Sequence, residues 1–211
     1  MGRSNADIGK SLESDVAGVL LERDRISTRV GELALEITNW VSRSFAESGE
    51  AELSILAVLT GSLVFLSDLI RRIPLKIRVS VVSASSYQGS ATTPGQVFLG
   101  VLPRRQLIGK KVLVVDDILD TGRTLEAVLE LARSQRPEMV RSCVLLTKTN
   151  SLRPESFCAD FSGFDIERDF VVGYGLDYDG LYRNLPDICV LKPEVFVARK
   201  AYVGQIGDSS R

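Results

Sequence analysis

The stretch from Lys111 to Leu125, KVLVVDDILDTGRTL, constrains the fold more than any other part of the chain. The apolar run 112–115 is rich in valine and predicts a short buried strand. Two carboxylates follow at once, then a turn over 120–124, and a helical pattern begins at Leu125. Ligands of open α/β sheets bind beyond the carboxyl ends of strands. This order of elements therefore predicts a site for a phosphorylated sugar.

Groups suited to an anion and groups suited to sugar hydroxyls lie side by side in this stretch. Backbone N–H groups at a helix N-terminus lack intrahelical partners, and the helix dipole favours an anion there. Gly122 lets the backbone approach a phosphate closely, and the hydroxyls of Thr121 and Thr124 can donate to its oxygens. Asp116 and Asp117 can accept from vicinal sugar hydroxyls, directly or through bound Mg²⁺. The alternative is an acidic turn that only caps a helix.

Composition and charge exclude several kinds of partner. The 211 residues are 45% hydrophobic and carry a formal net charge of −1, so we expect neither nucleic acid nor an anionic membrane as partner. No apolar run reaches the roughly 18 residues of a membrane span, and residues 1–10 lack the apolar core of a signal peptide. The cysteines, Cys143, Cys158 and Cys189, are widely spaced and odd in number. This favours reduced, structural thiols in a cytoplasmic protein.

The absence of histidine restricts the chemistry further. A Ser-His-Asp or Cys-His catalytic group and a histidine-based zinc site are both impossible in this sequence. Any proton transfer must therefore rely on a carboxylate, a lysine, a tyrosine or the substrate itself.

Hydrophobic periodicity predicts helices alternating with strands. The expected helices are 25–45, 64–72 and 125–134, and the expected strands are 55–59, 77–84, 97–102, 112–115 and 140–147. Residues 87–96 are small and polar and predict a loop. Strands separated by helices indicate an α/β fold with a mostly parallel sheet flanked by helices on both faces. After residue 150 we expect only short strands at 170–174 and 188–191.

Residues 112–124 resemble the phosphoribosyl-pyrophosphate motif of the type I phosphoribosyltransferases: four apolar residues, two acids, two apolar residues, then D-T-G-x-T. From about Arg25 to Glu194 the chain resembles the hypoxanthine-guanine branch of that family. The matching segments are SILAVLTGSLVFLSDLI at 54–70, SASSYQG at 83–89, LLTKTN at 145–150 and FVVGYGLDYDGLYRNLPDICVL at 170–191. We expect one domain over 1–211, with a core at about 21–150. The family's small C-terminal hood, at about 151–203, would cover the carboxyl edge of the sheet, and tails at 1–20 and 204–211 would be poorly ordered.

The resemblance implies which residues bind the activated sugar. Phosphoribosyl pyrophosphate would bind Asp116, Asp117, Asp120, Thr121, Gly122, Arg123 and Thr124, and Asp120 would be the catalytic base. Its pyrophosphate would contact Thr60, Gly61 and Arg183. The cofactor would be Mg²⁺, held near Asp116, Asp117 and Asp177. Ser86 and Tyr87 would open a mobile lid that keeps water from the reacting sugar; the alternative is an ordinary polar loop.

The resemblance also implies a purine site. The base would contact Lys148, Phe170, Val171 and Asp177. Lys148 would donate to the purine 6-oxo group, and Phe170 would stack on its ring. Without the resemblance, Lys148 would be an ordinary solvated lysine at a strand end, and Phe170 a core residue.

Thr60 departs from the resembled pattern, which usually has lysine or arginine at this position. The resemblance implies a cis peptide bond between Leu59 and Thr60. Threonine keeps a hydroxyl but lacks a cation, so pyrophosphate affinity or a subunit contact would differ from that of the family. Spacing alone also fits an ordinary strand-to-helix turn.

The implied function is purine salvage. A homodimer or homotetramer would transfer 5-phosphoribosyl from phosphoribosyl pyrophosphate to hypoxanthine or guanine, giving IMP or GMP and pyrophosphate. Two alternatives stay open. One is an enzyme on the same scaffold that uses xanthine or another base. The other is a non-catalytic regulator that binds ligand without turnover, although near-zero net charge disfavours a nucleic-acid-binding regulator.

Overall fold

The computed structural model describes residues 12, 14–43, 52–86, 97–99, 106–149, 152–154 and 156–195. These residues form two compact units. The sheet unit comprises the described residues of 24–168, and the terminal unit comprises those of 1–23 and 169–211. No helix in the described ranges is long and apolar enough to cross a membrane.

The sheet unit contains a six-stranded sheet in the order β4-β3-β2-β5-β6-β7. Its strands are β2 (Glu52–Leu59), β3 (Lys76–Ser86), β4 (Val97–Leu99), β5 (Lys111–Leu119), β6 (Met139–Lys148) and β7 (Phe161–Ile166). All neighbours pair in parallel except β4, which pairs antiparallel with β3. The helices are α1 (Arg23–Arg43), α2 (Leu63–Ile70) and α3 (Arg123–Ser134). The predicted α/β fold with a mostly parallel sheet is confirmed.

The central strand β5 is buried on both faces. Val112 and Val114 pack with Leu125 and Val128 of α3 in one apolar cluster. Because successive side chains of a strand alternate in direction, Leu113 points to the opposite face, and it is also fully buried. A strand held from both faces gives a rigid base to the side chains at its carboxyl end.

Strand β7 differs from the prediction, which placed residues after 150 in a C-terminal hood. It pairs in parallel with β6 and so extends the main sheet. Gly163 interrupts the hydrophobic pattern that would have revealed the strand. A Cβ at this position would lie 2.4 Å from the carbonyl oxygen of Leu145, so the close approach of the strands requires glycine. The core therefore continues past residue 150.

The terminal unit contains a three-stranded antiparallel sheet in the order β1-β9-β8. Its strands are β1 (Val16–Leu21), β8 (Val171–Val172) and β9 (Ile188–Leu191). Strand β1 corrects the expectation of a poorly ordered tail over 1–20, because Val16 to Leu21 pair with β9. Its middle residues 17–19 are exposed, so β1 lacks the apolar alternation that marks a strand. The expected tail 204–211 lies outside the described residues.

Two of the three cysteines match their predicted structural role. Cys143 in β6 and Cys189 in β9 are buried and form no disulfide. Burial raises the pKa of the Cys143 thiol far above its usual range, which keeps it protonated and unreactive. Cys158 likewise forms no disulfide, and it is exposed.

Candidate active site

The acidic pair lies at the carboxyl end of β5. Asp116 is only 5% exposed, and its Oδ1 accepts a hydrogen bond of 2.9 Å from the backbone N–H of Asp117. The Oδ1 of Asp117 accepts one of 3.0 Å from the N–H of Ile118. Burial, and then the neighbouring Asp117 charge, raise the pKa of the Asp116 carboxyl well above its usual range. The pair therefore favours a ligand that brings a cation or hydroxyl protons.

The turn after β5 has the geometry of an anion site. Gly122 has φ 82° and ψ −12° and is the residue directly before α3. A Cβ on Gly122 would lie 2.9 Å from the ring of Phe157, so both the backbone angle and the available space require glycine. Thr121 and Arg123 are exposed, and Thr124 is half-buried. The first N–H groups of α3 can thus receive a phosphate together with these side chains. We call residues 120–124 the phosphate turn.

Two predicted site residues from neighbouring strands form an ion pair. Lys148 Nζ lies 3.2 Å from Asp120 Oδ2. Lys148 ends β6 and Asp120 follows β5, and the two strands remain paired up to Leu119 and Thr147. The ladder of the parallel sheet thus brings the expected purine lysine next to the expected catalytic base.

The loop after β2 contacts the acidic pair. The peptide bond between Leu59 and Thr60 is cis, as the resemblance predicts, and the Thr60 side chain is exposed. A Cβ on Gly61 would lie 1.7 Å from Asp117 Oδ2, so the Asp117 carboxylate lies directly against the Gly61 backbone. Ser62 is buried and its hydroxyl donates to the carbonyl of Val58, which fixes the entry into α2.

The other predicted residues belong to the terminal unit. The Phe170 ring is 40% exposed and meets Tyr178 edge-on, with 5.5 Å between ring centroids. Val171 is buried in β8. Asp177 Oδ1 lies 2.7 Å from Arg183 Nη2, and Arg183 Nη1 donates to the carbonyl of Gly175 at 2.6 Å. The structure therefore joins Asp177 to Arg183 and leaves the Phe170 ring accessible.

The predicted lid falls largely outside the described part of the chain. Ser86 is the last residue of β3, and only its backbone is described. Tyr87 lies outside the described residues. The lid therefore stays a prediction.

The carboxylates present fit Mg²⁺ bound together with a phosphorylated substrate. Among the described residues no group of three acidic, histidine or cysteine side chains forms a metal cluster. Mg²⁺ is commonly held by one or two carboxylates, substrate phosphates and water, and it needs no larger protein cage. Asp116 and Asp117 supply such carboxylates at adjacent positions of the chain. Asp177, in contrast, already pairs with a guanidinium.

Two residues near the phosphate turn were missed by the sequence reasoning. Arg153 and Phe157 both lie within 4 Å of the position that a Cβ on Gly122 would take. Their segment, LRPESF at 152–157, mixes polar residues with one proline and reads as a surface loop. Because the contact joins positions far apart in sequence, no local pattern points to it.

A parallel sheet whose central strand ends in an acidic pair and a phosphate turn defines the class of type I phosphoribosyltransferases. Residues 28–179 match the phosphoribosyl transferase domain. The chain belongs to the hypoxanthine-guanine phosphoribosyltransferase family. Both the fold class and the family predicted from the sequence are confirmed.

The chain is similar to family members over most of their length. It is 38% identical to the hypoxanthine-guanine phosphoribosyltransferase of Mycobacterium avium over 182 residues, which are 86% of this chain and 89% of that one. A crystal structure of a hypoxanthine phosphoribosyltransferase from Staphylococcus aureus is 36% identical, with a TM-score of 0.77 over 92% of this chain and 99% of that one. The Trypanosoma cruzi hypoxanthine phosphoribosyltransferase in complex with the product IMP is 32% identical, with a TM-score of 0.76 over 89% and 97% of the two chains.

Proposed function

We propose that this chain transfers a 5-phosphoribosyl group from phosphoribosyl pyrophosphate to hypoxanthine or guanine, giving IMP or GMP and pyrophosphate. One observation carries the proposal: the Lys148–Asp120 ion pair of 3.2 Å stands beside the phosphate turn. An ammonium that can donate to a 6-oxo group and a carboxylate that can accept a proton thus adjoin an anion site. Family membership supports the same activity.

The sheet unit holds the sugar phosphate. The N–H groups of the phosphate turn and the hydroxyls of Thr121 and Thr124 anchor the 5′-phosphate, so the sugar stays fixed while its anomeric carbon changes partners. Asp116 and Asp117 accept from the ribose hydroxyls and stabilise the positive charge that develops on the ring. The same two carboxylates would hold Mg²⁺, which would supply positive charge to neutralise the leaving pyrophosphate.

The transfer step requires one group that accepts a proton. A purine ring nitrogen forms a bond to C1′ as the bond from C1′ to the pyrophosphate oxygen breaks, and the electron pair of that bond leaves with pyrophosphate. The nitrogen gives up its proton to the Asp120 carboxylate, which is the general base. Lys148 donates to the 6-oxo group, which is a stronger acceptor in the transition state as the ring loses its proton.

Residues of the terminal unit have the side chains that purine recognition needs. The exposed Phe170 ring offers a stacking face, and Val171 offers backbone groups for the base edge. The planar guanidinium of Arg183 fits pyrophosphate oxygens. Asp177 orients that guanidinium at 2.7 Å and is the acid expected near the base and a second Mg²⁺.

The remaining expectations follow from family membership. We propose one cytoplasmic domain with a C-terminal hood, and a homodimer or homotetramer as the working form. Thr60 and Gly61 line the pyrophosphate side, with Thr60 donating a hydroxyl where the resembled pattern has lysine or arginine. Ser86 and Tyr87 open the lid.

A panel of bases tests the proposal. The purified chain is incubated with phosphoribosyl pyrophosphate, Mg²⁺ and one base at a time, and the nucleotide formed is followed by chromatography. We expect turnover with hypoxanthine or guanine, little with adenine, and none with uracil or with Mg²⁺ chelated. Turnover of xanthine alone would shift the base assignment, and no turnover with any base would overturn the enzyme.

A further inference from the structure

One guanidinium ties the carboxyl ends of β5 and β6 together. Arg153 Nη1 donates to the carbonyl oxygens of Asp120 at 3.1 Å and Lys148 at 3.2 Å, with that of Leu119 at 3.5 Å. Leu119 and Thr147 are the last residues of β5 and β6 that pair with each other, so Arg153 bonds to the two backbones at the end of their ladder. Carbonyl groups that leave a ladder need other donors. Arg153 supplies one donor group to both strand ends.

The backbones that Arg153 holds are those that carry the reacting side chains. Asp120 and Lys148 lie 3.2 Å apart through their side-chain atoms, and their carbonyls share the Arg153 donor. The stem of Arg153 also packs near the phosphate turn, since its Cδ lies 3.6 Å from the position of a Cβ on Gly122. The distance between carboxylate and ammonium is therefore coupled to this one side chain.

We propose that Arg153 is a positioning residue for the transfer reaction and sets the distance between the Asp120 carboxylate and the Lys148 ammonium. The role rests on the proposed function, because it acts through those two groups. Taking a proton from one edge of a purine while donating to its 6-oxo group needs both side chains held to within about 0.5 Å. On the other side of β6, Lys148 pairs with Ile166 of β7, and beyond the β5–β6 ladder the Arg153 guanidinium links the two strand ends.

Arg29 provides a matched control for an arginine that supports only the fold. Its Nε donates to the carbonyl of Gly163 at 3.0 Å and its Nη2 to that of Ser162 at 2.8 Å. It thus holds strand carbonyls in the same sheet unit, but the carbonyls belong to β7, which carries no predicted site residue. Arg29→Met should weaken the fold without acting through the Asp120–Lys148 pair.

The test is a double-mutant cycle on turnover. Arg153→Met keeps the apolar stem and removes the donors, and Arg153→Lys keeps a cation. We expect Arg153→Met to lower kcat for hypoxanthine by about ten- to a hundredfold, as for the loss of hydrogen bonds from a charged donor. The KM for phosphoribosyl pyrophosphate should change much less, and Arg153→Lys should recover part of kcat. In an Asp120→Asn background, Arg153→Met should have little further effect, because the distance it sets no longer matters.

The control separates positioning from stability. Arg29→Met should lower Tm by a similar amount, and its effect on kcat should be small and additive with Asp120→Asn. If Arg153→Met does not fold, the cycle is made with Arg153→Lys. Additive losses from Arg153 and Asp120 in an active enzyme would overturn the positioning role alone. A wild-type chain that turns over no base would overturn the proposed function and this role with it.

Discussion

The proposed sugar-phosphate residues of the sheet unit and the proposed purine residues of the terminal unit lie on very different backbones. The acidic pair lies near the carboxyl end of a regular strand of nine residues, and the phosphate turn continues into the first residues of a helix of twelve. In the terminal unit β8 has two residues, and the following turns have positive φ at Gly173, Tyr174, Gly175, Asp179, Gly180 and Tyr182. When a site is built on a strand and a helix, its residues are close in sequence and form one short motif. The conformation of turns like those of the terminal unit depends instead on packing against residues far away in sequence.

The turns of the terminal unit are held by burial and hydrogen bonds. A non-glycine residue with positive φ costs roughly 1–2 kcal/mol, and three of the residues with positive φ here are not glycine. Tyr174 and Tyr182 are 7% and 6% exposed, so their packing offsets this cost. The Tyr182 hydroxyl also donates to Asp15 at 2.8 Å, across most of the chain length. Substitutions should therefore act locally in the sheet unit and through stability in the terminal unit.

Asp120→Asn tests the proposed general base of the sheet unit, and it should have the largest effect on turnover. Without a proton acceptor, kcat should fall by about 10²–10⁴-fold. The Kd of phosphoribosyl pyrophosphate, measured by calorimetry, should change much less than kcat, because the backbone N–H groups and the threonine hydroxyls of the phosphate turn are unchanged. Asp179→Asn is the matched control in the terminal unit, since asparagine tolerates the φ of 52° found there. Unchanged turnover in the Asp120 variant would remove it from the base role.

Gly122→Ala should raise the KM for phosphoribosyl pyrophosphate by roughly ten- to a hundredfold through combined backbone strain and contact with Phe157. Gly109 offers a control, because its φ is 63° but a Cβ there meets nothing within 4 Å. In both alanine variants, backbone strain should lower the free energy of unfolding, measured by denaturant titration, by about 1–2 kcal/mol. Only the Gly122 variant should bind the substrate weakly. Equal KM values for the two would refute a special role for the phosphate turn.

Lys148→Ala should discriminate between bases. Loss of a charged donor to the 6-oxo group is expected to lower kcat/KM for hypoxanthine by about tenfold or more. Adenine has no 6-oxo group, so any adenine turnover should fall less. Steady-state rates with the two bases check this, and equal losses would argue against the 6-oxo contact.

Tyr182→Phe should have the smallest effect of the four substitutions. It should lower stability in the terminal unit and leave the sheet unit unchanged. Removing the bond to Asp15 should cost about 1 kcal/mol of local stability. Hydrogen exchange should quicken for the amides of β1 and β9 and stay unchanged in β5 and β6. Asp15→Asn should give a similar change, and little further change is expected in the double variant. Faster exchange throughout the chain would show that the two units do not open separately.

The sequence predicted the sheet unit best because its signals are local. The run 112–115, the acidic pair and the turn are contiguous, and the helices match the predicted ranges to within a few residues. β1 was missed because most of it is exposed and its partner β9 lies near the other end of the described chain. β7 was missed because Gly163 breaks its pattern. Arg153 could not be found, since its contacts join a loop to two strand ends.

The pairing of β1 with β9 also has a consequence for how the protein is made. Val16 and its partner Leu191 are about 175 positions apart, so Val16 is translated well before Leu191. At roughly 5–20 residues per second, β1 waits on the order of ten seconds or more as an unpaired edge strand. The nascent chain can complete residues 24–168 in that time, whereas the antiparallel sheet of the terminal unit can form only after Leu191 has been translated. Slow codons or chaperone depletion should therefore affect the yield of its antiparallel sheet before that of the parallel one.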